Sequence, residues 1–167
     1  ILDRVAVTPV MRRGGQERRQ RAGTDNVAAI AGFGAAAAEA LAEIKTIASV
    51  AALRDKLEAG IKALSPNAFI IGAESPRLAN TSCFALPGKA AETLVIKLDL
   101  MGVAVSAGSA CSSGKVGASH VLTSMGLGPE IARAAIRVSL GAASSEQDIA
   151  AFLAAWKDIA CPPALAA

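Results

Sequence analysis

Cys111 stands in the run Ser106-Ala107-Gly108-Ser109-Ala110-Cys111-Ser112-Ser113-Gly114-Lys115, just ahead of the chain's only histidine, His120. Side chains this small cannot wrap a thiol in an apolar coat, so the sulfur is expected to be open to solvent or to a substrate. Lys115 and the flanking hydroxyls favour the thiolate, which is the nucleophilic form. An incidental surface cysteine would have the same local composition. Pairing of Cys111 with His120, as in a thiol hydrolase, is another option; because His120 opens an expected helix, capping or packing competes with it.

Two other places suit anions. Arg12-Arg13-Gly14-Gly15-Gln16-Glu17-Arg18-Arg19-Gln20-Arg21-Ala22-Gly23-Thr24 combines arginines, glycine amides and a hydroxyl, a set that fits phosphate. Asp25-Asn26 are helix-capping types, so Thr24 lies beside an expected helix N-terminus, where amides and dipole favour negative charge. A solvated surface loop is the alternative. Arg137 lies in Ala135-Ile136-Arg137-Val138-Ser139-Leu140, a strand otherwise fit for burial. An arginine there is expected to have an anionic partner, in the protein or in an amino-acid substrate, because an unpaired buried charge is costly. Cys83, beside Phe84, reads as a small buried structural residue, and Cys161 as incidental.

The elements that must position these groups follow from periodicity. Arg4–Pro9 reads as a short strand. Asn26–Ile44 keeps a helical period, so its Gly32-Phe33-Gly34 pattern, with no preceding strand, is not a dinucleotide loop. A second helix, capped by Ser49, runs to Leu64 with Leu53, Leu57, Ile61 and Leu64 on one face. Strands are expected at Ala68–Ile71, Asn80–Leu86, Val103–Ser106 and Ala135–Leu140. Helices are expected at Lys89–Met101, Ser119–Met125, Pro129–Ala134 and from the Ser144-Ser145 cap to Lys157. Alternation within Ala135–Leu140 sets Arg137 on the face opposite Ile136 and Val138. Short strands among long helices make an α+β layer.

Composition bounds the rest. The chain has 167 residues, 53% of them hydrophobic and 3% aromatic, and a net charge of +3. Abundant alanine suits close-packed helices. Only Arg12–Arg21 is concentrated enough for nucleic acid, and it lacks interleaved aromatics, so no nucleic-acid partner is expected. Three widely spaced cysteines fit a reducing cytoplasm better than a disulfide framework. No run is read as apolar and charge-free enough to span a membrane. A start without Met suggests a fragment, a processed chain or a missing beginning.

Taken together, Gly14-Gly15-Gln16-Glu17-Arg18, Arg21-Ala22-Gly23-Thr24-Asp25-Asn26, the Ser106–Ser113 loop, Ser119-His120-Val121-Leu122 with Met125-Gly126-Leu127, and Ile136-Arg137-Val138-Ser139-Leu140-Gly141 resemble the cysteine desulfurases. These are pyridoxal-phosphate enzymes of the class V aminotransferase group, and the likeness is to the branch with an SxGSAC loop. The resemblance runs in register from about Arg12 to Lys157. It implies part of a type I PLP-transferase fold: residues 1–44 ending the large α/β cofactor domain, 45–160 forming the small domain of helices on a short sheet, and 161–167 a tail. It implies that Cys111 takes sulfur from L-cysteine as a persulfide, leaving L-alanine, for iron–sulfur cluster or other sulfur-compound synthesis. Thr24 would bind the cofactor phosphate across a homodimer interface, and Arg137 the substrate carboxylate. A scaffold or other acceptor protein would take the sulfur, and Cys111 could then contact the iron of an iron–sulfur cluster transiently.

The family's S-x-H-K lysine segment is absent, as are its ring-stacking histidine and its pyridine-pairing acid. The chain is therefore expected to match only the C-terminal portion of such an enzyme, to lack a covalent cofactor anchor and to be inactive alone. A selenocysteine lyase relative and a non-catalytic sulfur-acceptor or assembly module are the other readings.

Overall fold

The computed structural model describes residues 8–108 and 119–160. The strand expected at Arg4–Pro9 falls largely outside them, and Cys111, Lys115 and Cys161 fall wholly outside. The chain divides into two compact units, residues 1–44 and 45–167, each described by itself.

In the first unit, the basic segment forms a short turn at Gln16–Arg19 and leads to helix α1 (Val27–Glu43). The side chain of Asn26 accepts from the Ala29 amide at 3.1 Å, so Asn26, not Asp25, is the cap. Gly32 and Gly34 lie inside α1, which agrees with the helical reading of that pattern. Along α1, Val27, Ile30, Phe33 and Leu41 are exposed.

One expectation is corrected here. The helical stretch Val27–Leu64, which is 3-10 at Ile44–Thr46, contains an 18-residue window long and apolar enough to cross a membrane by length and composition, with a mean hydropathy of 1.6. Between Val27 and Ile44 the only ionised residues are Glu39 and Glu43. Alanine supplies much of that hydropathy, and alanine suits close helix packing as well as lipid.

The second unit contains α2 (Ile47–Leu64), β1 (Phe69–Ile70), β2 (Thr81–Ala85), α3 (Ala91–Leu100), β3 (Ser106–Ala107), α4 (His120–Ser124), α5 (Pro129–Ala134), β4 (Ala135–Ser139) and α6 (Glu146–Ala160). The strands form one antiparallel sheet in the order β1-β2-β4-β3. β3 lies later than expected. Val103 and Val105 pack against the core instead of pairing, and the ladder begins at Ser106 opposite Arg137. The α2 cap also differs: Thr46 holds that position, and the Ser49 hydroxyl donates back to its carbonyl at 2.6 Å.

Strand alternation gives the sheet two unlike faces. Phe84, Ile136 and Val138 face a core with Leu57 and Ile61 of α2, Leu94 and Leu98 of α3, and Phe152 and Trp156 of α6. Phe84 meets Trp156 edge-on, with centroids 5.3 Å apart and planes at 85°, and Phe152 edge-on at 6.2 Å; such geometry adds to burial. Trp156 Nε1 donates to Ser65 Oγ at 3.0 Å, which satisfies both buried groups. Gly60 eases the α2–α6 approach, since a Cβ there would crowd the Leu153 side chain. Ser145 and Asp148 cap α6 reciprocally: the Asp148 carboxylate accepts from the Ser145 amide at 2.8 Å, and Ser145 Oγ accepts from the Asp148 amide at 3.4 Å.

A charged staple ties α2 to the segment before β2. Arg77 donates to both Glu58 oxygens, at 2.7 and 3.0 Å, and the buried Ser82 hydroxyl donates to the same carboxylate at 2.8 Å. Burial alone would raise the pKa of Glu58. The hydrogen bonds from Arg77 and Ser82, with the charges of Arg77 and Arg54, overcome it and hold Glu58 below its usual 4.5.

At the end of β3, the Gly108 amide donates to the Ala135 carbonyl at 2.7 Å, and a Cβ on Gly108 would lie 2.9 Å from both Ala135 Cβ and its oxygen. Gly108→Ala is therefore expected to destabilise the second unit by about 1–3 kcal/mol, as overpacking does, measured as a lower urea midpoint. Because the folded pKa of Glu58 is depressed, its contribution is complete above the usual carboxylate value and is lost as pH falls through the folded pKa. Glu58→Gln is expected to cost about 1–3 kcal/mol at neutral pH. It should also flatten the fall in stability below about pH 4.5 in denaturation series, the region where the unpaired carboxyl titrates.

Candidate functional site

The sheet face turned away from the aromatic core holds two of the polar groups of interest, Arg137 and Cys83. Register places Thr81 opposite Ser139, Cys83 opposite Arg137 and Ala85 opposite Ala135, and β3 adds Ser106 on the other side of Arg137. Directly opposed residues share a face, with Cβ atoms about 5 Å apart. One end of this face, at Ala85 and Ala135, is covered by Leu122 of α4 and by Ala132 and Ala134 of α5, with Ile71. The other end stays open and polar.

Arg137 occupies the open end. It lies opposite Ile136 and Val138, as alternation requires, but its side chain is exposed where burial was expected. The physical reason is that the covering helices reach only the alanine pair. Among the described residues Arg137 makes no side-chain hydrogen bond and no ion pair. Of the two partners expected for it, a protein anion is absent among the described residues, and the guanidinium faces outward between two uncharged neighbours. Such a fork suits a planar carboxylate.

Cys83 belongs to the same face, which the sequence alone did not indicate. It is half-buried against the alanine-rich cluster. Burial raises the pKa of its thiol, and the charge of Arg137 only partly offsets that. Period-two alternation could have separated Cys83 from Phe84, but its pairing with Arg137 depends on register between distant strands.

Both described ends of the Cys111 loop attach beside this face: Gly108 on Ala135, and the buried Ser119 at the start of α4. Ser119 Oγ caps α4 by accepting from the Leu122 amide, so Ser119 and not His120 is the cap; His120 is exposed. Cys111 itself lies outside the described residues. Among those described, no group of three or more His, Cys, Asp or Glu side chains could hold a metal ion. A cavity of about 240 Å³, lined by Leu57, Val103, Val105, Val138, Leu140 and Phe152 among others, lies toward the helices and does not include Arg137.

Thr24 lies in the first unit, exposed, two residues before the α1 cap. Arg21 Nη1 donates to the carbonyls of Gly23 and Thr24, at 3.2 and 2.8 Å, which fixes a positive charge against the backbone of this turn. Upstream, Arg13, Glu17, Arg18 and Arg19 all have positive φ, between 47° and 75°. Left-handed backbone in such residues costs about 1–2 kcal/mol each. A hydroxyl, a guanidinium and a helix N-terminus make a donor set that fits a phosphate ester.

The "Aminotransferase class-V" family model matches residues 5–152. The chain is 43% identical over 142 residues to "Cysteine desulfurase NifS" of Azotobacter vinelandii, covering 84% of this chain and 35% of that protein. It is 40% identical over 152 residues to "Cysteine desulfurase IscS" of Clostridium botulinum, covering 89% of this chain and 38% of the relative. Its fold is similar to a solved NifS-like protein from Rickettsia africae, with a TM-score of 0.80 and 38% identity over 93% of this chain and 40% of the other. The chain thus spans well under half the length of these relatives. Across most of its length, in sequence and in fold, the chain belongs to the class-V aminotransferase family.

Proposed function

We propose that this chain supplies the sulfur-accepting and carboxylate-binding part of a pyridoxal-phosphate-dependent cysteine desulfurase. The single observation that carries the reading is Arg137: a guanidinium on the open sheet face with no protein anion among the described residues. Such a cation suits an external carboxylate, and the relatives named above are cysteine desulfurases.

Pyridoxal phosphate, when bound, supplies an electron sink for carbanionic character on the substrate. Thr24, with Arg21 beside it and the α1 N-terminus behind, would hold the phosphate. The family's lysine segment does not occur in this sequence, so the covalent anchor belongs to residues outside it. Arg137 holds the α-carboxylate of L-cysteine and orients the substrate sulfur. Cys111, as thiolate, attacks that sulfur. An S–S bond forms, the substrate Cβ–S bond breaks, and its electron pair remains on Cβ, which takes a proton to give L-alanine. The persulfide on Cys111 then passes to an acceptor, for iron–sulfur cluster assembly or another sulfur-using synthesis. The homodimer, the cytoplasmic setting and transient contact of Cys111 with cluster iron belong to this proposal.

Three substitutions in the full-length enzyme test it, with sulfide release and persulfide labelling as readouts. Cys111→Ala is expected to lose at least about 100-fold in sulfur mobilisation and all label on this loop; normal turnover would sink the proposal. Arg137→Ala is expected to raise KM for L-cysteine by about ten- to a hundredfold, as loss of a charged hydrogen-bonding partner does. Thr24→Ala is expected to weaken pyridoxal-phosphate binding by about fivefold to tenfold, measured by equilibrium dialysis.

A further inference from the structure

Arg137 has two cross-strand neighbours on its own face, Cys83 of β2 and Ser106 of β3, and neither is charged. The next pair along, Thr81 and Ser139, is also neutral. Opposite-charge pairs are a common way to stabilise neighbouring strands. An aspartate at either flanking position would take the guanidinium as its partner, yet a thiol and a hydroxyl stand there. Cys83 is the more constrained of the two, because it lies on a central strand and packs against the alanine-rich cluster that includes Ile71, Ala85 and Ala135.

We propose that Cys83 acts through Arg137 as a positioning residue: it fills the cross-strand position beside the guanidinium with a small, uncharged side chain and so leaves Arg137 available to the carboxylate of the amino-acid substrate. The inference rests on the reading of Arg137 as the carboxylate anchor. Burial disfavours the thiolate, and the charge of Arg137 only partly offsets that. Its small volume leaves the open end of the face free, and its half-buried sulfur gives Arg137 no competing anion. A charge at this position would act on substrate binding more than on the bond-breaking step.

The test uses the full-length enzyme loaded with pyridoxal phosphate and reads KM and kcat for L-cysteine, together with calorimetric binding of L-alanine as a carboxylate probe. Cys83→Asp is expected to raise KM and to weaken alanine binding by about tenfold or more, with kcat changed by less than about threefold. Cys83→Asn, equal in size but uncharged, is expected to stay within about threefold of the unsubstituted enzyme in all three. Equal effects of Asp and Asn, or no effect of Asp, would overturn the inference. Arg137→Ala separates it from the reading beneath: if that variant binds alanine normally, the anchor assignment itself fails. If Arg137→Ala weakens binding and Cys83→Asp does not, only the role of Cys83 fails.

Should Cys83→Asp not fold, the charge is added after folding. In a background where every other cysteine of the full-length enzyme, Cys111 and Cys161 included, is serine, iodoacetate places a carboxylate on Cys83 Sγ and iodoacetamide places the matching amide, with each label mapped by mass spectrometry. Weaker alanine binding in the carboxymethylated protein, by about tenfold relative to the amide, supports the proposal; equal binding overturns it.

Discussion

The packing of Phe84 against Phe152 and Trp156 decides which way the sheet faces. Once Phe84 is buried among α6 rings, alternation along β2 must turn Cys83 and Ala85 the other way. The β2–β4 register then carries that choice to Ile136 and Val138 on the core side and to Arg137 on the open side. A slip of one residue would drive the guanidinium into the aromatic core and expose the isoleucine, a change costly in both directions. The position of the cation is thus a by-product of where the aromatics go.

The two charged arrangements of the second unit show the contrast between structure and site. Arg77 meets Glu58 through two hydrogen bonds, with Ser82 completing the carboxylate's partners, in a partly shielded place. That arginine is satisfied and serves to fasten a turn onto α2. Arg137, exposed and without an acidic partner among the described residues, is left to solvent there. Leaving a cation unpaired on an open surface costs little folding energy, because water solvates it. The same exposure leaves its N–H donors available to an incoming anion.

Much of the helical framework was legible in the sequence. Leu53, Leu57, Ile61 and Leu64 marked α2 by their spacing, and the serines before Glu146 marked the start of α6. The strand at Ala135–Ser139 and the face taken by Arg137 followed from alternation alone. What was not legible depended on distant partners. Val103 and Val105 have strong strand propensity yet pack on the core without pairing, because the β4 register meets the chain one step later, at Ser106. The exposure of Arg137 depended on how far α4 and α5 reach across the sheet, which no local pattern reports. The left-handed turn at Glu17, Arg18 and Arg19 was invisible for another reason: these residue types have no preference for it.

The sheet's outline has a further consequence. Its two central strands have five residues each, whereas β1 and β3, at the edges, have two. A two-residue edge offers too few free amides and carbonyls to template another strand. Fibril-like growth by strand addition is therefore blocked at both borders of this small sheet, without the charged or proline-bearing edges that longer sheets need. Short edges of this kind let the open face meet other molecules without offering them a strand to extend.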